Sequence, residues 1–167
     1  MNTAELADTL TALLSELVEG TPETGGFMLN RGDPGLLRSL ERLSAAEASA
    51  VPAGGGAPIA AHVEHVRYGL SLMNRWAGGE NPFRDADWTA AWRIPAVGED
   101  EWARLRSGLA DEARRWKDAL ATPRDVARVE LNGIVGSIAH LAYHVGAIRQ
   151  IDRDARGPGA EEGVGSA

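Results

Sequence analysis

Apolar residues recur three and four apart along four separate stretches of this 167-residue chain, and that periodicity constrains the fold more than any other feature. Such spacing puts an apolar stripe on one face of a helix, and the stripe has to be buried. The first stretch, residues 3–18, carries Leu6, Leu10, Leu13, Leu14 and Leu17, with Asn2 or Thr3 as its N-cap. The second runs from about Pro58 to Ala77 with Ile59, His62, Val66, Gly69, Met73 and Trp76. The third, residues 99–121, presents Trp102, Leu105, Leu109, Ala113, Trp116 and Leu120. The fourth begins near Asp125 or Asn132 and runs to about Asp154, with Ile134, Ser137, Ile138, Leu141, His144, Ile148 and Ile151 on its stripe. Strand-like runs are few. Four amphipathic helices of about 20 residues make an all-α four-helix bundle the expected architecture.

The connections are marked by helix breakers. Gly20, Pro22, Gly25 and Gly26 end the first helix. Asp33 as N-cap and Pro34 at the first helical position predict a shorter extra helix over 34–49, with Leu36, Leu37, Leu40 and Leu43 inward. The segment PAGGGAP, from Pro52 to Pro58, reads as a loop inside one domain, and Gly78-Gly79 stops the second long helix. Residues 80–97, ENPFRDADWTAAWRIPAV, form a long excursion holding Phe83, Trp88 and Trp92, and loops of that length in a compact domain are usually functional. Trp88 and Trp92 are four apart, which predicts a short helix from Asp85. One domain is expected over 1–156, followed by a disordered tail, GPGAEEGVGSA, over 157–167.

Composition removes several function classes. The chain has no cysteine, so disulfides, thiolate ligands and a cysteine nucleophile are excluded. A net charge of −7 argues against nucleic acid as the main partner. No run approaches the roughly 20 apolar residues needed to span a bilayer. The opening MNTAELADTL lacks the basic start of a signal peptide, and a cytoplasmic location is expected.

All four histidines fall in two clusters, His62 with His65 and His140 with His144. Three and four apart are neighbour spacings on a helix. Two helices that turn imidazoles toward each other make a metal site, because neutral imidazole suits zinc, nickel and iron. His140 and His144 supply two nitrogens, and His62, on the core stripe, supplies the third; His65 lies at the edge of that face. Three protein ligands leave a position open for water or substrate, the pattern of a catalytic site. Hydrogen-bonded core histidines are the plainer account of any one of these residues, and the double clustering weighs against it. Glu64 and Glu130 are acid–base candidates by position in the sequence, and a solvated carboxylate is the plainer account of each.

The segment SIAHLAYHVGAIRQI resembles the last-helix motif of the DinB-like superfamily, where two histidines four apart are followed by a glycine and an isoleucine. PIAAHVEHVRYGLSLMNRW resembles that family's second helix, and the likeness extends over about residues 3–155. The resemblance implies an up-down-down-up four-helix bundle. It also implies a divalent metal held by one histidine of the second helix and two of the last, here His62, His140 and His144. Some relatives use the second position of such a pair, which selects His65 instead. Many relatives have Arg-Gly-Gln after the last histidine where this chain has Val145, Gly146 and Ala147, and metal-free members exist.

Two functions from different classes follow. The resemblance implies a metal-dependent enzyme, a thiol S-transferase of the mycothiol or bacillithiol type or a related isomerase or hydrolase. The Ala-, Gly- and Arg-rich composition hints at a high-GC bacterium, where mycothiol would be the thiol. The other is a non-catalytic, stress-associated protein that binds a metal or a small ligand. The expected partners are a small-molecule substrate, a low-molecular-weight thiol among the candidates, and a second copy if the chain forms a homodimer. Neither nucleic acid nor a membrane is expected. The Trp88/Trp92 excursion either caps a pocket over the metal or packs against the end of the bundle.

Overall fold

The computed structural model describes residues 3–122, 124–152 and 155–158. Among them every regular element is helical: α1 (Thr3–Glu19), α2 (Gly35–Glu41), α3 (Ala45–Ser49), α4 (Ile59–Ala77), α5 (Glu99–Ala121) and α6 (Arg128–Ile151), with single 3₁₀ turns at Pro82–Asp85 and Ala90–Arg93. The four long helices stand where the periodicity puts them. α5 matches residue for residue, and α6 starts between the two expected positions and ends three residues early. Asn2 lies outside the described residues.

The leucine, isoleucine and tryptophan stripes meet in one core. Leu14, Leu17, Leu40, Ile59, Val63, Trp102, Leu109, Trp116, Leu141 and Ile148 are almost wholly buried. Both deepest tryptophans satisfy their indole N–H: Trp102 donates to the Leu43 carbonyl at 2.8 Å, and Trp116 donates to Ser137 Oγ on α6 at 3.0 Å. α4 packs against α5 and α6, and α1 closes the ring against the same two helices.

Side-chain contacts fix how α4 runs relative to its neighbours. His62 meets His144 and His65 meets His140, so α4 and α6 are antiparallel. Gly133 on α6 lets them approach closely: a Cβ there would lie 2.4 Å from the Trp76 ring. The Arg67 side chain lies against Gly108 and Asn74 donates to Glu112, so α4 and α5 run the same way. Parallel neighbours need a connection that travels back along the bundle. Residues 78–98 do this as a strap beside α4, where Phe83 packs on Trp76, Trp88 on Tyr68 and His65, and Trp92 on His62.

Three details differ from the sequence reading. The expected helix over 34–49 is two helices, because Ser44 starts a new one: its hydroxyl accepts from the Glu47 N–H while Glu47 accepts from the Ser44 N–H, a capping box. Pro34, not Asp33, is the N-cap of α2; Asp33 Oδ1 instead accepts from the Gly35 N–H at 2.9 Å and pairs with Arg149 at 2.7 Å. The short helix expected from Asp85 is replaced by two 3₁₀ turns, with Trp88 between them.

The chain after α6 stays on the bundle as far as it is described. Ala155 is fully buried, and the Pro158 carbonyl accepts from Asn30 Nδ2 at 2.8 Å. The remainder of the tail expected to be disordered, residues 159–167, lies outside the described residues. α6 is long and apolar enough by composition to cross a membrane, which the sequence reading did not anticipate. Here its apolar face, Ile134, Ile138, Leu141, Val145 and Ile148, is buried in the protein core.

Candidate metal centre

All four histidines converge between α4 and α6, near the start of the first and the end of the second. His144 and His65 are buried, and His62 and His140 are partly buried. His140 Nε2 is the hub, 3.1 Å from His65 Nε2 and 3.1 Å from His144 Nε2. One ring nitrogen from each of His65, His140 and His144 lies within 4.8 Å of the others, a set able to hold a metal ion. An ion at about 2.0–2.1 Å from each of two nitrogens spaces them by roughly 2.9–3.4 Å, a range that includes these two separations.

His62 is in the cluster but outside that set. Its Nδ1 lies 2.9 Å from Nδ1 of His144, on the far side of that ring from Nε2. Of the two histidines of α4, His65 is the one whose nitrogen lies in that set with His140 and His144. The reason lies in α4 as a whole. Ile59, Val63, Val66, Leu70 and Met73 form one buried row, and His65, Gly69 and Leu72 are buried beside it. A helix covered by α5, α6 and the strap has a buried face wider than a single three-and-four stripe, and His62 falls at its edge.

The strap roofs the site. Trp92 stacks on His65 at 4.4 Å between centroids and on His144 at 6.0 Å, and meets His62 edge-on at 5.3 Å. Trp88 lies 5.8 Å from His65 and 6.3 Å from His140. The excursion thus lays both tryptophans over the histidines, while its Phe83 packs on Trp76 further along α4. Beside His140 and below Trp88 opens a cleft of about 200 Å³ between α4 and α6, walled by Val66, Leu70, Met73 and Leu141, with Gly69, Gly133 and Gly136 leaving room.

Electrostatics favour neutral imidazoles. Burial pushes the pKa of all four histidines down, and for His144 the positive charges that His140, His62 and His65 would carry add to burial and bring it to about 3. Unprotonated nitrogens held together at neutral pH are the form that binds metal, so the donor set fits a divalent ion. His65 Nδ1 is buried with no hydrogen bond of good geometry, and the neighbouring Trp88 backbone opposes the fall in its pKa. Neither candidate carboxylate joins the cluster: Glu64 closes on Arg67 at 2.6 and 2.7 Å, and Glu130 pairs with Arg124.

These depressed pKa values make the metal-free protein acid-sensitive. An unfolded histidine takes up a proton below about 6.5, whereas folded His144 stays neutral down to about 3. Stability is thus fully present above pH 6.5 and is lost as pH falls toward the folded value. His144 alone contributes a slope of about 1.4 kcal/mol per pH unit in that window. Urea unfolding of metal-free protein between pH 7.5 and 5 is expected to show falling midpoints. Midpoints that stay constant or rise would contradict buried neutral histidines.

The family model of the DinB superfamily matches residues 28–148, a span holding α2 to α5, all four histidines and the strap. The chain belongs to the DinB superfamily. No curated protein and no solved structure matches it.

Proposed function

We propose that this protein is a divalent-metal-dependent member of its superfamily, with the ion held by His65, His140 and His144. The observation that carries this reading is the convergence of three imidazole nitrogens on one point, with His140 Nε2 3.1 Å from each of the other two. Zinc, nickel and iron are the ions this donor set suits. The family's up-down-down-up winding is part of the same reading. It is supported by the antiparallel α4/α6 pair and the parallel α4/α5 pair.

The activity proposed is thiol S-transfer of the mycothiol or bacillithiol type, or a related isomerase or hydrolase reaction on a small molecule in the cytoplasm. A bound ion with an open position supplies acidity, lowering the pKa of a thiol or water there. The chain's own residues do the rest: Trp88 and Trp92 exclude water from above, and the apolar cleft beside His140 receives the body of a small substrate. A homodimer is compatible with this reading and is not required by it.

One observation favours a second reading, a non-catalytic metal- or small-ligand-binding protein. Both candidate carboxylates are engaged away from the histidines, so neither serves as a proton acceptor at the site. Metal analysis of protein purified without an affinity-tag histidine stretch tests the first step. About one equivalent of a transition metal supports the centre, and none refutes it. Loaded protein is then screened for loss of free thiol with mycothiol or bacillithiol and a panel of electrophiles. Turnover above background that disappears in the His65→Ala protein supports the enzyme, and a bound metal without turnover supports the second reading.

A further inference from the structure

The fourth histidine contacts the triad at one defined point. His62 Nδ1 lies 2.9 Å from His144 Nδ1. Nε2 of the same His144 ring faces His140. The two nitrogens of an imidazole point outward along diverging directions, so His62 Nδ1 and an ion at His144 Nε2 occupy opposite sides of the ring. Two neutral imidazoles that meet nitrogen to nitrogen share one proton, one ring donating and the other accepting. If Nε2 of His144 offers its lone pair to an ion, its proton must be on Nδ1, and that N–H is aimed at His62.

Resting on the metal reading above, we propose that His62 is a positioning residue: it accepts the Nδ1–H of His144, fixing the tautomer and the orientation of that ligand. Metal-bound histidines ordinarily direct the second ring N–H to a carboxylate, a carbonyl or water. Here a second imidazole stands in that place. The pair is held by one wall, since the Trp92 ring meets His62 edge-on at 5.3 Å and lies within 29° of parallel to His144. The assignment also fixes His62 itself. With Nδ1 as the acceptor, its proton is on Nε2. The histidine doublet of α4 thus divides the work, with His65 facing the ion and His62 holding a ligand from behind.

The test compares wild type, His62→Leu, His62→Asn and His65→Ala, each titrated with zinc alone, with helicity checked by circular dichroism. The asparagine variant places an amide oxygen about where Nδ1 stood and keeps an acceptor. His62→Leu is expected to keep one zinc per chain and bind it about 10–100-fold more weakly, and His62→Asn to recover most of that loss. Nitrogen-15 spectra of the zinc-loaded wild type are expected to show His144 protonated at Nδ1 and His62 at Nε2. Undiminished affinity in His62→Leu, a wild-type His62 protonated at Nδ1, or asparagine no better than leucine overturns the proposal while leaving the metal centre standing. Loss of stoichiometric zinc in both His62 variants, with retention in His65→Ala, makes His62 a ligand and overturns it too. A wild type that binds no zinc overturns both readings together, and a zinc-loaded His144 with no proton on Nδ1 overturns the proposal alone.

Discussion

Replacing His144 with alanine is expected to abolish stoichiometric metal binding while leaving the helices formed. His144 is buried, its Nε2 faces the hub nitrogen of His140, and its Nδ1 faces His62, so it connects all the remaining imidazoles. Two ligands without the third bind far more weakly, because affinity depends on a complete and pre-oriented set. The fold should survive, since the core is built from leucine, isoleucine and tryptophan side chains on all four long helices. Removal of His144 also takes away a group whose neutrality destabilises the protein in acid. The variant should therefore lose less stability than wild type between pH 6.5 and 5. Metal content and circular dichroism on one sample decide the matter. Collapse of helicity together with metal loss would make the centre structural, and full metal retention would remove His144 from it.

The largest effect on stability is expected at Trp102. Its side chain is fully buried, its Nε1 donates to the Leu43 carbonyl at 2.8 Å, and the Arg106 guanidinium lies 5.6 Å from its ring centre. Trp102→Ala opens a cavity the size of an indole and strands the Leu43 carbonyl, which should cost about 3–5 kcal/mol. Thermal unfolding should fall by roughly 10 °C or more for a chain of this size. Trp102→Phe keeps most of the apolar surface and loses the hydrogen bond, so about 1–2 kcal/mol is expected. If phenylalanine proves as damaging as alanine, the hydrogen bond to the α2–α3 turn matters more than the packing.

The long helices were legible because each has to bury a stripe, and a stripe leaves a periodic signal: α5, with Trp102, Leu109 and Trp116 inward, is the clearest case. The histidines were legible as a constellation for the same reason, since positions three and four apart on a helix share a face. Which of His62 and His65 faces His140 was not. Both lie within reach of α6, and which imidazole turns its Nε2 to His140 depends on how α4 is rotated by three neighbours at once, information that periodicity along one helix does not contain. The break inside residues 34–49 had a readable cause, Ser44 followed three residues later by Glu47, but Leu36, Leu37, Leu40 and Leu43 keep helical spacing right up to it and the alanines beyond gave no contrary signal. Trp88 and Trp92 were visible as an aromatic excursion. Their place over the histidines depends on the path of the strap, which follows from the relative direction of α4 and α5.

That path leaves the molecule with spare chain. α4 has 19 residues, so a return along it covers about 28 Å. Fully extended chain at about 3.3 Å per residue would make the trip in about nine residues. The segment from Gly78 to Gly98 is more than twice as long, and the surplus is coiled into two 3₁₀ turns, with Phe83 on the first, Trp92 on the second and Trp88 between them. Such slack separates two tasks that a shorter crossover would have to combine. The parallel pairing of α4 and α5 needs only the two ends of the segment, so the surplus is available for contacts of its own, and it makes them on α4 at Trp76, Tyr68, His65 and His62. Two chains with identical helices and identical imidazoles would then admit quite different molecules, with the difference written in the half-exposed side chains of that span, Trp88 and Trp92 among them.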